Sequence, residues 1–273
     1  MHAKRTWMKW LGAAAFVLAS GTASAELNLW ISYHFAGDKA YDTGHFQNAL
    51  VVEQAALNED VAPHRRAETL DNLGRIYTAI GKFPEAEQSY QEALSLREKA
   101  LGRNHRDVAT TLNNLGDLHY ILEQTDGVEA LYRRALDINE RDQLNIEVVR
   151  SLNGLALLHN DASEFVEAEK LLKRAVTVNE KAQRRDQPYM ATVLTNLGIL
   201  FTNLGRHSEA EPMFDRAKYI HDTALRAEHP DVAVRLHAMA ALYQATGRTE
   251  PAQEMARRAE EIRAKQREAG DLY

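Results

Sequence analysis

The stretch Leu70-Asp71-Asn72-Leu73-Gly74-Arg75-Ile76-Tyr77 decides the fold, because its apolar residues return at spacings of three and four around a glycine. Leu70, Leu73 and Tyr77 therefore share one face of a helix. Gly81 breaks that helix, and a second stripe follows at Ala86, Tyr90 and Ala93. The alanines let two helix axes approach closely, while the aromatic ring fills the gap beside them. Leu112, Leu115 and His119 repeat the first stripe, as do Leu194, Leu197 and Phe201. The unit is a helical hairpin and the fold class is all-α.

Working outward, the unit recurs six times. A small residue stands at the expected crossing of the two helices in Gly37, Gly74, Gly116, Ala156, Gly198 and Ala240, at intervals of 37, 42, 40, 42 and 42 residues. Three residues later come Ala40, Tyr77, His119, His159, Phe201 and Tyr243. Seven residues after the small position stand Gly44, Gly81, Glu123, Ser163, Gly205 and Gly247, a turn glycine in four of six units. The slot twelve residues on holds Ala49, Ala86, Val128, Ala168, Ala210 and Ala252, and nineteen on every unit has alanine: Ala56, Ala93, Ala135, Ala175, Ala217 and Ala259. A larger slot in the second helix reads Glu53, Tyr90, Tyr132, Leu172, Phe214 and Ala256. Its first and last members lack a large apolar side chain, as expected of end caps that face water. One hairpin cannot bury its apolar face alone, so successive hairpins are expected to stack into a solenoid.

This pattern of small residue, aromatic, turn glycine and paired alanines resembles the tetratricopeptide repeat, over about residues 27 to 265. The 42-residue period is similar to the long-helix repeats of kinesin light chains. Arg97-Glu98-Lys99-Ala100-Leu101-Gly102 running into Asp107-Val108-Ala109-Thr110-Thr111-Leu112-Asn113-Asn114-Leu115-Gly116 carries that likeness, and His229-Pro230-Asp231-Val232-Ala233 repeats the lead-in. The resemblance implies a right-handed superhelical α-solenoid of about six hairpins whose concave face, lined by first helices, holds a protein or peptide. Motor-cargo work does not fit an exported chain, so only the repeat type carries over.

Export is expected from the first 25 residues. Lys4, Arg5 and Lys9 precede the apolar run Leu11 to Ala19, and Ala23-Ser24-Ala25 follows, the order of a secretory signal peptide cleaved after Ala25. The domain plan is thus a leader at 1–25, a repeat array at 26–268 and a short tail at 269–273, with the mature protein in a bacterial periplasm or secreted. The chain has no cysteine, which excludes disulfides, thiolate metal sites and a lipid anchor built on that residue. Removing the leader leaves 30 basic against 39 acidic residues, a formal net charge of -9. Such a chain repels nucleic acid and anionic lipid.

The resemblance places the concave-face slots two and three residues before the small position and one, four and five after it. They carry Asn72, Asn114 and Asn196, with Asn113 and Asn153 beside them, an asparagine ladder able to bracket the backbone of an extended peptide with both donor and acceptor. The same amides could instead bond neighbouring helices and set the twist. Arg75, Asp117, Tyr120, Arg150, Asn160 and Asn203 flank the ladder. The groove is not a carboxylate clamp, since of the basic cluster such a clamp needs on the following helix only Arg150 is present. Asp38, Asp42, Asp71 and Asp117 are expected to make its first half acidic and to favour a basic peptide.

Catalysis is not expected. No nucleophile elbow, phosphate loop or dinucleotide fingerprint appears, and nothing calls for a cofactor or metal. None of the eleven histidines forms a metalloprotease pair, and His119 and His159 fall in the aromatic slot, which makes them core residues. The tail from Arg257 to Arg267, alternating in sign, reads as an exposed last helix. The function read from sequence is an exported adaptor or scaffold for a protein segment; the alternative is a self-associating structural subunit of an envelope assembly.

Overall fold

The computed structural model describes residues 23–59, 62–124, 126–140, 146–182, 188–225 and 227–269. Most of the expected leader lies outside them, and Ala23 to Ala25 open the first helix. Among the described residues twelve helices and no strand are present, paired into six hairpins. These are α1 Ala23–Asp42 with α2 Phe46–Leu57, α3 Pro63–Ala79 with α4 Phe83–Leu101, and α5 Arg106–Ile121 with α6 Val128–Asn139. They continue with α7 Ile146–Asp161 and α8 Phe165–Lys181, α9 Pro188–Asn203 and α10 His207–Ala224, and α11 Pro230–Ala245 and α12 Thr249–Ala269.

Each hairpin closes on the small position. A Cβ added to Gly74 would stand 2.4 Å from the Tyr90 ring, one on Gly116 2.7 Å from Tyr132, and one on Gly198 2.7 Å from Phe214. The two hairpins with alanine at that position, Ala156 and Ala240, carry the smaller Leu172 and Ala256 opposite. Volume is thus conserved across the pair rather than at either residue. All six alanines of the nineteen-residue slot are fully buried, Ala259 of the last hairpin included. That slot therefore faces the hairpin's own first helix and not the next unit.

The turns share one backbone solution. In every hairpin the residue seven after the small position has positive φ, whether Gly44, Gly81, Gly205 and Gly247 or the two exceptions, Glu123 at 55° and Ser163 at 61°. Its N–H bonds back three residues and the following N–H bonds back five, as in Gly81 to Thr78 (3.2 Å) and Lys82 to Tyr77 (2.8 Å). Glu123 to Tyr120 and Gln124 to His119 repeat this at 3.0 Å each. This double bond satisfies carbonyls that a helix end leaves unpaired. The absent glycines changed the cost of the turn, not its form.

Stacking bends the array. Each first helix packs on the next first helix, whereas the backbones of successive second helices stay apart. The first helices thus line the inner side of the arc. On the outer side long side chains span the gap: Arg134 to Glu98 at 2.6 Å, Arg216 to Glu180 at 2.8 Å and Arg206 to Glu169 at 2.6 Å.

Candidate functional site

The inner face carries two polar layers, and adjacent asparagines divide between them. Neighbouring residues on a helix point about 100° apart, so Asn113 and Asn114 cannot do the same work. Asn113 is fully buried between hairpins, its amide donating to the Glu147 carboxylate (2.9 Å) and carbonyl (3.1 Å) and accepting from the Ser151 hydroxyl (2.8 Å). It belongs to a seam of buried polar residues that recurs at positions 26 residues apart: Asp71 and Arg97, Asn113 and Asn139, Asn153 and Asn179, and Thr195 and His221. The first of these is an ion pair that also holds the Thr111 hydroxyl, Arg97 Nη1 standing 2.7 Å from it. At the far end burial pulls His221 down to about 4. There the guanidinium of buried Arg235 approaches His221 Nδ1 at 3.4 Å and Met239 Sδ at 3.1 Å.

Closer to the groove the second layer forms cross-hairpin links. Asn196 donates to Asn153 Oδ1 (2.8 Å), and Asn153 donates to the Tyr189 hydroxyl (3.2 Å). Asn114 accepts from Arg150 (2.7 Å), whose same nitrogen reaches Asp117 Oδ2 (2.8 Å). The other Asp117 oxygen accepts from the hydroxyl of Tyr132 (2.8 Å), the ring buried against Gly116. Tyr120 donates to Asp161 (2.7 Å) across to the next hairpin, and this acceptor together with burial pushes its phenol up. Asn72 reaches back to Glu53 Oε1 (2.9 Å) and Asp38 Oδ1 (3.0 Å). The ladder thus ties hairpin to hairpin, while Asp117, Tyr120, Asn160 and Arg75 remain half-buried at the surface and Asn203 is exposed.

Three sequence readings need correction. Asp71 does not line the groove; it is buried with Arg97, which leaves Asp38, Asp42 and Asp117 as the acids of that half. Glu53 does not face water, for it is completely buried opposite Gly37, whose added Cβ would stand 2.4 Å from its Oε1. His119 and His159 are half-buried rather than core, each on a carboxylate: His119 on Glu87 at 2.8 Å and His159 on Glu164 at 2.5 Å. Two other histidines, His105 and His229, serve as helix caps, each accepting at Nδ1 from the amide two residues on at 3.2 Å. Gly154, outside the small-residue register, is a feature the periodicity missed. The ring of Tyr132 is wedged between Gly116 and Gly154, and a Cβ on the latter would stand 2.3 Å from it.

Sequence comparison agrees with this geometry. The tetratricopeptide repeat model matches residues 65–141, 147–218 and 189–265. The chain belongs to the tetratricopeptide repeat family. No curated protein matches it in sequence. Among solved structures it is similar to BtubC from P. vanneervenii, with 21% identity, TM-score 0.58, and 90% of this chain and 93% of that one covered. A putative kinesin light chain of Podosopora anserina with nearly identical repeats matches at 23% identity and TM-score 0.52, covering 75% and 97%. A Rap protein solved in complex with competence and sporulation factor matches at 15% identity and TM-score 0.70, covering 95% and 80%. At these identities the likeness is one of fold.

Proposed function

We propose that this tetratricopeptide array is an exported adaptor that holds an extended peptide segment of another protein against its inner face. One observation carries the reading: the first helices crowd together on the inside of the arc and leave Arg75, Asp117, Tyr120 and Asn160 half-exposed there, with Asp117 held by Arg150 and Tyr132 and Tyr120 held by Asp161. Side chains already held in place lose little freedom on binding. The ladder residues Asn72, Asn113, Asn114, Asn153 and Asn196 then act chiefly by positioning, and Arg150 does so through Asn114 and Asp117. A Rap neighbour solved with the Phr* peptide supports peptide holding by this fold.

A photo-crosslinking residue placed at Tyr120 or Asn203 should capture a partner from the bacterial envelope, and one at Val166 on a second helix should not. Equal capture at both positions would remove the inner face as the site. Export is tested by N-terminal sequencing of the periplasmic fraction, which should begin at Glu26. The self-associating alternative draws on Phe35, which is 70% exposed on the first hairpin; light scattering that found a concentration-independent monomer would exclude it.

A further inference from the structure

Each first helix keeps one stripe open. The positions one, four and five after the small residue share a face of the helix, and none of them is buried in any of the six hairpins. The residues one before and two after the small position are instead packed on the preceding unit, Leu73 and Ile76 against α2 and Leu115 and Leu118 against α4. With neighbouring first helices on both sides and its own second helix behind, the open stripe is what each first helix presents to the inside of the arc.

The chemistry of that stripe changes half-way along the array. Its leading position reads Asp38, Arg75 and Asp117 in the first three hairpins and Leu157, Ile199 and Ala241 in the last three. Ile121, 46% exposed at the last stripe position of the third hairpin, stands at the boundary. Beyond it, the stripes of the fifth and sixth hairpins hold no charged residue. On the near side Asp42 is exposed and joins Asp38 and Asp117. Even with Arg150 paired to Asp117 and Arg75 among them, acids stay in excess there. Such a surface attracts positive charge at one end and gains at the other by having its aliphatic side chains covered.

We propose that the segment held on the inner face is divided in the same way, with aliphatic side chains over the fourth to sixth hairpins and a net basic part over the first three. The proposal rests on the inner-face reading for the fact of binding, and on the change at the third hairpin for the kind of partner. Packed helices stand about 8 to 10 Å apart, and an extended chain rises about 3.3 Å per residue with alternate side chains on one face. Each hairpin therefore meets about three residues, and a dodecapeptide reaches across the four central ones. Its aliphatic half supplies the grip that salt leaves alone, and its basic half the orientation.

Methyl NMR of the full chain labelled at isoleucine tests it with synthetic probes. Ile121→Val and Ile199→Val assign the two inner-face methyls by their disappearance. The first probe is a blocked dodecapeptide with lysine at alternate positions of one half, valine at alternate positions of the other, and serine between. The second is the same sequence reversed, since the stripe leaves the chain direction open. One of the two should move both methyls. Serine in place of valine should weaken that binding about tenfold at any salt, and glutamate in place of lysine should weaken it at low salt only. Leu157→Asp should remove the preference for valine; if that variant does not fold, Ala241→Asp, at an exposed position, should weaken the valine peptide several-fold. Peptides that bind without preferring valine, or with both methyls silent, overturn the proposal and leave the inner-face reading standing. If no probe moves either methyl at millimolar concentration, the proposal also falls, while crosslinking at Tyr120 judges the inner face by itself. Methyl shifts that follow protein concentration with no peptide present would assign the aliphatic stripe to a second copy of the chain, and overturn it too.

Discussion

The first and fifth hairpins share a backbone plan and differ in kind at the larger slot of the second helix. In the fifth, Phe214 is buried against Gly198 inside an apolar core that runs continuously from α6 to α11. In the first, Glu53 occupies the same place against Gly37, next to a small cluster of Phe46, Ala49, Leu50, Leu73 and Ile76. A repeat therefore fixes where a side chain goes and leaves open whether it packs or carries charge. The apolar choice stabilises the array, and the charged one makes the first hairpin sensitive to its surroundings.

The sharpest way to break this comparison is to empty both slots. Phe214→Ala should cost about 3 to 5 kcal/mol, the range for a buried ring, while Glu53→Ala should cost far less, since it also relieves the burial of a polar carboxyl. Hydrogen exchange resolved by hairpin checks this, and similar losses at both sites would end the distinction.

The next effect is one of pH. Burial pushes the Glu53 carboxyl up to about 7, against the Asn72 hydrogen bond and nearby His34, which pull it down. An unfolded glutamate titrates near 4.5. Between those values the folded state keeps a proton that the unfolded chain releases, so stability falls as pH rises through this window and levels off above it. The drop should be about 1 to 3 kcal/mol, from 1.36 kcal/mol per pH unit discounted for solvent relaxation. Glu53→Gln should flatten the profile and be the more stable variant at pH 8. A wild-type profile that rises across the window would contradict the assignment.

A smaller effect concerns the turns, where the fifth hairpin has Gly205 and the third and fourth have Glu123 and Ser163 in the same left-handed conformation. Replacing either of the latter with glycine should stabilise by up to about 1 kcal/mol, because a side chain is strained there. Gly205→Ser should destabilise by a similar amount. Thermal melts of the single variants decide it. The smallest change is Asn196→Ala, which removes one amide link to Asn153 and should cost about 1 kcal/mol, seen as faster exchange in α7 and α9.

Most of the architecture was legible because packing slots repeat at constant spacing. Six small positions, six buried alanines and the hairpin pairing all follow from that period. The seam was not legible, because Asn113 and Asn114 look alike in sequence and are both buried, and only their angle around the helix gives one Glu147 and Ser151 and the other Arg150 as partners. Glu53 misled for a related reason. A charged residue in an end hairpin reads as solvent-facing, and only the structure shows Asn72 and Gly37 closing over it. Gly154 escaped because it lies off the small-residue register and its partner ring, Tyr132, comes from the preceding hairpin. The two positive-φ turns at Glu123 and Ser163 were legible by register, though not by residue type.

The outer side of the arc has a mechanical consequence. Its second helices are joined across the gap by Arg134 to Glu98, Arg216 to Glu180 and Arg248 to Glu211, pairs that water reaches and salt screens. The inner side is joined mostly by buried amides and apolar side chains that salt scarcely touches, with Arg150 to Asp117 as a partly exposed ion pair among them. The array is thus a spring with one stiff leaf and one soft leaf, and ionic strength adjusts chiefly the soft one. A small rotation at each of the five joints between six hairpins adds up along the array. Salt should therefore change the separation of the first and sixth hairpins well before it changes the stability of any hairpin.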